Sequence, residues 1–386
     1  MLPCFNPRVI IGLYSSQNKR SIFLIFPMIK SYIYNIISSR NPKQGIIAVS
    51  VRFFLLVLSY VYGLFIRILS KSALRSRESF GCKVISVGNI TWGGTGKTVA
   101  VEHIACFLRS KGRRVAVISR GYKRAIRPLV HQATGEQLGD EPQMLKDKLL
   151  DIPVLSGPDR KALIKRAIRE FGSDTVVLDD GFQQWGINKD LDIVAIDVNN
   201  PFGNLHMIPR GILREPLSAL KRAGLFLITK CSNAAAAAQL KNDFKNISLM
   251  IPVVLSRHKA CGLVRVSGNN APVNPEELKN KKVVLASGIA DPGSFKDLVS
   301  SQSILILGHI EFDDHHNYTA ADAGRILSVA GSVGADAVIV TEKDAVKLKG
   351  IFPAQTAVPV YFLRVALEIT HNEEEFHRRL LGACNN

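Results

Sequence analysis

The chain has 386 residues, of which 47% are hydrophobic and 21% charged, so it is globular and long enough to bury the cores of two domains. Its formal charge is +18, from 50 Lys and Arg against 32 Asp and Glu, which suits an anionic substrate or a membrane surface. No zinc-finger spacing, RNA-binding sheet motif or long basic stripe accompanies that charge, which argues against nucleic acid, and six scattered cysteines without a C-x-x-C pair exclude a disulfide scaffold.

The charge excess is concentrated at the N-terminus, where eleven Lys or Arg and no Asp or Glu precede Glu78. Residues 1–45 mix Arg, Lys and Ser with hydrophobics, the composition of an organelle targeting segment; an unstructured extension would read the same way. Residues 46–77 predict an apolar helix. Fourteen uncharged residues separate Arg52 from Arg67, fewer than the roughly 20 that a membrane-spanning helix requires. Tyr60, Tyr62 and the flanking basic residues suit a helix lying in the interface of an anionic membrane. A helix buried in the core is the competing reading.

From Lys83 onward, short apolar runs alternate with amphipathic stretches, the pattern of an α/β fold with a mostly parallel sheet. Strands are predicted at 83–87, 114–119, 152–156, 175–180, 191–197 and 224–229, with helices at 97–110, 141–149 and 159–171. A second set follows, with strands at 282–288, 303–310, 336–344 and 359–364 and helices near 293–300 and 320–333. The division is therefore a P-loop-like domain over 78–252, a linker ribbon over 253–280 and a smaller α/β domain over 281–386.

Two motifs carry chemistry. "GNITWGGTGKT" (88–98) follows a strand and opens a helix, the context of a phosphate-binding loop. Gly93, Gly94 and Gly96 let backbone N–H groups turn inward around an anion, Thr95 lies within the same loop, Lys97 reaches the phosphates and Thr98 offers its hydroxyl to Mg²⁺. The strict pattern has a glycine six places before the lysine, where Thr91 stands. The second motif, "TVVLDDG", ends an apolar strand in Asp179 and Asp180, the Walker-B arrangement that supplies a magnesium ligand. The two together point to a nucleotide with its metal.

Other clusters have plain structural explanations when taken singly. Asp140 in "GDEPQM" reads as a helix N-cap with Glu141 and Pro142 in the first turn, His315 and His316 as loop residues, and Arg214 with Glu215 as a surface pair.

Read in order, "ISVGNITWGGTGKT", "ISRGYKR", "GDEPQML", "LDDGFQQW", "PRGILREPL", "FDDHHNYT" and "VTEKDAVKL" resemble the tetraacyldisaccharide 4'-kinases, with matching spacing from about residue 50 to about 375. In that family too the phosphate loop carries a hydroxyl residue in place of the leading glycine. The resemblance implies two α/β domains, ATP and Mg²⁺ near the cleft between them, a membrane-binding N-terminal helix, and phosphorylation of the 4'-hydroxyl of an anionic glycolipid, giving lipid IVA. It implies an Asp–His pair that activates that hydroxyl. The Asp falls on Asp140 and the His on His315, with His316 adjacent. Arg120, Arg214 and Glu215 would contact phosphate, metal or substrate.

The chain departs from the family where Gln184 replaces a typical histidine, and where "MIPRGILREP" adds Arg210 and loses a proline at Ile212. Its long basic extension is atypical of bacterial members and implies an organelle-targeted protein. The absence of a markedly Ser/Thr-rich leader puts mitochondrion ahead of plastid. A P-loop kinase for another glycolipid, or a non-catalytic nucleotide-binding protein at an organelle membrane, would share the loop. Retention of Lys97, Thr98, Asp179, Asp140 and His315 favours the enzyme.

Overall fold

The computed structural model describes residues 46–120, 139–231, 251–266, 272–353 and 355–385. The proposed targeting segment 1–45 and the whole of "GYKR" (121–124) lie outside these residues. A single helix, α1 (Ile46–Arg75), comes first, 30 residues and roughly 45 Å long. The first half then alternates β1 (Lys83–Gly88), α2 (Lys97–Ser110), β2 (Val115–Ser119), α3 (Asp140–Lys148), β3 (Val154–Ser156), α4 (Arg160–Phe171), β4 (Thr175–Asp179), β5 (Leu191–Asp197) and β6 (Leu225–Thr229). A long strand β7 (Val253–Arg265) and the short β8 (Pro272–Val273) lead into the second half. That half comprises β9 (Lys282–Ser287), α5 (Pro292–Ser300), β10 (Leu305–Glu311), α6 (Ala320–Ser332), β11 (Ala337–Thr341), α7 (Glu342–Leu348) and β12 (Val360–His371), and the chain closes with α8 (Glu373–Asn385).

All the described strands join one sheet, in the order β10-β9-β11-β12-β7-β6-β5-β1-β4-β2-β3, with β8 on β7. Both faces are covered, which is why the strands are continuous apolar runs rather than alternating ones. In β1, Ile85 and Val87 pack under α2 while Val84 packs on the opposite side with Ile164 and Ala167 of α4. In the second half, α6 covers Val284 and Val338, and α5 covers Leu285 and Ile339.

β7 explains how the halves face one another. It pairs in parallel with β6 only over Val253–Leu255, then runs ten residues further, to Arg265. At about 3.3 Å per residue this carries the second half roughly 30 Å beyond the carboxyl ends of the first half's strands. β12 then runs antiparallel to β7, so its parallel partners β11 and β9 point back toward the first half. The carboxyl ends of both sets of strands, where loops collect ligands, thus meet.

Three expectations are corrected. The strand expected over 336–344 stops at Thr341, whose hydroxyl accepts the Asp344 N–H and starts α7. The last strand runs to His371 instead of ending near residue 364. The chain's end packs mainly on the first half: Phe376, Leu380 and Cys384, spaced four apart on α8, are buried in the α2-side core of that half, which Leu367 of β12 also joins. An apolar stripe at helical spacing needs a partner surface, and α2 supplies it.

Candidate functional site

The phosphate loop leaves β1 at Gly88 and is held on three sides. Thr91 forms a β-bridge with Leu213, the Trp92 N–H donates to the Ile212 carbonyl (2.7 Å), and the Arg214 N–H donates to the Ile90 carbonyl (2.8 Å). The "RGILREP" segment is therefore the loop's second wall, and the loop's entrance is extended backbone. This accounts for Thr91: a bridged, extended residue needs no glycine, and its buried side chain fills space (3% exposed). Further along, Gly93 and Gly96 have left-handed φ of 129° and 73°, and the Thr229 hydroxyl of β6 donates to the Thr95 carbonyl (2.9 Å). Gly96 caps α2 with no side-chain hydrogen bond, leaving the first-turn N–H groups facing an anion site beside Lys97 and Thr98.

The two carboxylates after β4 sit beside this loop because β4 pairs with β1, with Asp179 opposite Val87. Asp179 is buried and accepts from the Ser119 hydroxyl (3.1 Å). Burial, then the neighbouring carboxylates Glu141 and Asp180, push it up to about 6 in spite of Lys97. Asp180 turns in the left-handed region (φ 54°), and both its oxygens accept from Arg214 Nη1 at 2.9 Å, with Lys97 Nζ 3.5 Å away. Burial raises it, but Lys97 and Arg214 outweigh that and hold it below the usual carboxylate range.

This donor set fits Mg²⁺. Asp179 is a buried carboxylate beside the carboxylates Glu141 and Asp180, with Thr98 in the first turn of the adjoining helix. Among the described residues no group of three or more His, Cys, Asp or Glu forms a metal cage. Magnesium asks for none, since it binds through one or two carboxylates and phosphate oxygens.

The second half contributes the loop after β10. His315 adopts a left-handed conformation (φ 61°), with its N–H on the Gly288 carbonyl (3.1 Å). Its Nδ1 thereby comes within 3.7 Å of Asp140 Oδ2, at the start of α3. His316 is turned away: its Nε2 lies 3.2 Å from Asp322 and its ring stacks on Phe312. Of the two histidines, His315 is the one the fold brings to Asp140. Burial alone would raise the Asp140 carboxyl, but the contacts with His315 and Lys347 reverse this and leave it below its ordinary value.

Two lysines not assigned a role from sequence also reach the pair. Lys343 Nζ lies 3.1 Å from His315 Nε2, and Lys347 Nζ lies 3.4 Å from Asp140 Oδ2. Their signal was present in "TEKDAVK", where two cations four apart share a helix face.

The remaining candidates divide. Arg214 faces the site through Asp180. Glu215 is no surface pair with it: it is 1% exposed and accepts from Arg222 (2.9 Å) and Gln183 (3.1 Å), so its carboxylate is used inside the protein rather than offered to a substrate. Arg120 is exposed at the end of β2, and the residues that follow it lie outside those described. Gln184 lines a cavity of about 130 Å³ with Arg77, Trp185 and Arg222.

α1 docks on this part of the molecule by one face. The Ser59 hydroxyl donates to the Met207 carbonyl (2.7 Å) and Tyr62 donates to the Arg214 carbonyl (3.1 Å). Its other faces expose Phe53, Phe54, Val57, Val61, Leu64, Phe65 and Ile68. This excludes the buried core helix, and Ala48–Arg75 is long and apolar enough to cross a membrane by length and composition.

The profile of the LpxK family, tetraacyldisaccharide-1-P 4'-kinase, matches residues 51–385. A tetraacyldisaccharide 4'-kinase of Anaeromyxobacter sp. (strain Fw109-5) is 36% identical over 331 residues, covering 81% of this chain and 85% of that one. One from Desulfatibacillum aliphaticivorans is 35% identical over 330 residues, covering 81% and 87%. The crystal structure of LpxK from Aquifex aeolicus with ATP matches with a TM-score of 0.67 at 26% identity, covering 86% of this chain and 99% of that one. The fold, the phosphate loop and these likenesses agree, and the chain belongs to the tetraacyldisaccharide 4'-kinase family.

Proposed function

We propose that the protein transfers the γ-phosphoryl group of ATP to the 4'-hydroxyl of a tetraacyldisaccharide 1-phosphate, giving lipid IVA. The observation that carries this reading is the Asp140–His315 pair, which joins the phosphate-loop half to the loop after β10 and sits next to Glu141, whose charge acts on Asp179 beside the phosphate loop. A sugar hydroxyl is a weak nucleophile at neutral pH, and a base oriented within hydrogen-bond reach takes its proton as the new bond forms. Asp140, with His315 behind it, is that base. The Gly93–Thr98 loop holds the phosphates, and Lys97 offsets charge on the transferring group. Arg214 orients Asp180 and adds positive charge at the same place. Thr98 with Asp179 and Asp180 would hold Mg²⁺, which would supply neutralisation of phosphate charge.

The test uses γ-labelled ATP, Mg²⁺ and tetraacyldisaccharide 1-phosphate in detergent. Label passes to the lipid with the wild-type protein and not with Lys97→Ala or Asp140→Ala. A wild-type protein that binds nucleotide but transfers no label overturns the reading.

The same proposal places α1 in the interface of an anionic membrane, apolar faces inward, where a glycolipid substrate resides. Its exposed apolar side chains and its docked Ser59 and Tyr62 support this. Protein lacking residues 46–75 should no longer sediment with anionic liposomes; undiminished sedimentation refutes it. Residues 1–45 are proposed to direct the protein to mitochondria, on the strength of their acid-free, basic composition. The relatives compared are bacterial, and a fluorescent fusion of residues 1–45 that stays in the cytosol or enters plastids decides against it.

A further inference from the structure

We propose that Lys343 and Lys347 are positioning residues that fix which atoms of the Asp140–His315 pair carry hydrogen. The inference rests on that pair being the base. Lys343 Nζ is 3.1 Å from His315 Nε2. An ammonium group has three hydrogens to donate and no lone pair, so Nε2 must be the acceptor. The hydrogen of the neutral ring is then on Nδ1, the nitrogen 3.7 Å from Asp140 Oδ2. Free imidazole in a histidine side chain prefers the opposite tautomer, with hydrogen on Nε2, so the pair depends on something that imposes the less favoured one. Lys343 also meets carboxylates on two elements, Glu141 at 3.1 Å and Asp314 at 3.7 Å.

Lys347, one helical turn on, completes the arrangement. Its ammonium donates to the His316 carbonyl (3.0 Å) and lies 3.4 Å from Asp140 Oδ2, with its side chain 8% exposed. Both cationic and imidazole contacts of Asp140 thus converge on Oδ2. Oδ1 is left as the oxygen that takes the hydroxyl proton.

The helix carrying both lysines is anchored for this purpose. Asp344 is fully buried, bonded to the Thr341 hydroxyl, and accepts from the Gly288 N–H (2.9 Å). Gly288 in turn accepts the His315 N–H. The element that sets the histidine's hydrogen therefore also sets its backbone.

The test is long-range ¹H–¹⁵N correlation on full-length protein with ¹⁵N-labelled histidine, His315 being assigned by its absence in His315→Gln. The wild type should show hydrogen on Nδ1. Lys343→Met should move it to Nε2 and lower kcat roughly 10- to 100-fold with the KM for ATP unchanged, as expected for a misoriented catalytic group. Lys343→Arg, which still donates, should retain the tautomer and most of the rate. Lys347→Met should lower kcat without changing the tautomer. Hydrogen on Nε2 in the wild type overturns the proposal even if Lys343→Met fails to fold. So does a Lys343→Met protein with unchanged tautomer and rate. If His315→Ala and Asp140→Ala instead turn over normally, the base reading itself has failed.

Discussion

Lys148 Nζ lies 2.8 Å from Glu342 Oε2, fastening the last turn of α3 to the first turn of α7. The same ammonium reaches Glu102 of α2 at 2.7 Å and donates to the Val365 carbonyl at 3.1 Å, with only 4% of its side chain exposed. α3 and α7 are thus joined at both ends, by this contact and by Asp140 with Lys347 at the other. Burial pushes the Lys148 ammonium down, and Glu342 and Glu102 more than offset it, so it remains charged.

Lys148→Met should therefore be costly. It leaves the Glu102 carboxylate without this cation and Glu342 with Arg364 at 3.7 Å in its place, a change worth about 3 kcal/mol. Urea unfolding would report it, and Lys148→Met with Glu342→Gln should recover part of the loss. A single variant as stable as wild type refutes the account.

The two histidines of "DDHH" should separate cleanly. His315→Ala should cut turnover by about 10² or more, on the order of what general-base catalysis contributes, because Asp140 loses the imidazole beside it. His316→Ala, which removes a ring stacked on Phe312 and an Asp322 contact, should cost stability and spare most of the rate. Label-transfer rates on both variants decide, and equal losses would count against the assignment.

The glycines of the phosphate loop differ in tolerance. A Cβ on Gly96 would stand 2.8 Å from His258 Nε2, at a φ of 73° that side chains resist, whereas one on Gly94 meets only Ala290, at 4.0 Å. Gly96→Ala should lower stability by about 2 kcal/mol or more and abolish ATP binding. Gly94→Ala should leave the melting temperature within about a degree of wild type. Calorimetry of both variants checks the contrast.

His258 gives a pH dependence. Burial first, and then the Lys230 ammonium, push its imidazole down to about 4; Asp197 and Asp291 pull the other way and Lys148 adds to the depression. Between the ordinary value of about 6.5 and 4, the unfolded chain takes a proton that the folded one refuses. The stability contribution is thus complete above pH 6.5 and is lost as pH falls toward 4, about 2 kcal/mol of it by pH 5. His258→Gln should remove that part of the slope in urea titrations at pH 7 and pH 5. An unchanged slope would show that His258 is not its source.

Much of the first half was legible because its strands are buried on both faces. The runs at Lys83, Thr175 and Leu191 could be nothing but interior strands, and "GGTGKT" with "DD" marked the nucleotide end of the sheet. α7 was hidden because its first turn, "EKD", continues directly from a strand whose last residue is also its cap. α8 opens with three glutamates, and its stripe of Phe376, Leu380 and Cys384 has meaning only once α2 is known to lie beneath it. The resemblance put the histidine at His315 with His316 adjacent, and it is a left-handed backbone at His315 that turns this one of two identical neighbours toward Asp140.

That last helix bears on how the protein is made. Phe376 and Leu380 are fully buried in the core that supports α2. The half that begins near residue 80 therefore lacks part of its interior until Glu373–Asn385 has left the ribosome, after the other half has been synthesised. A chain ended at His371 should lose ATP binding while its second half stays folded, as limited proteolysis with nucleotide titration would reveal. Synthesis of the two halves is sequential, but the nucleotide half is completed only by a helix that follows the other half, so a chain that stops short of α8 should not hold ATP.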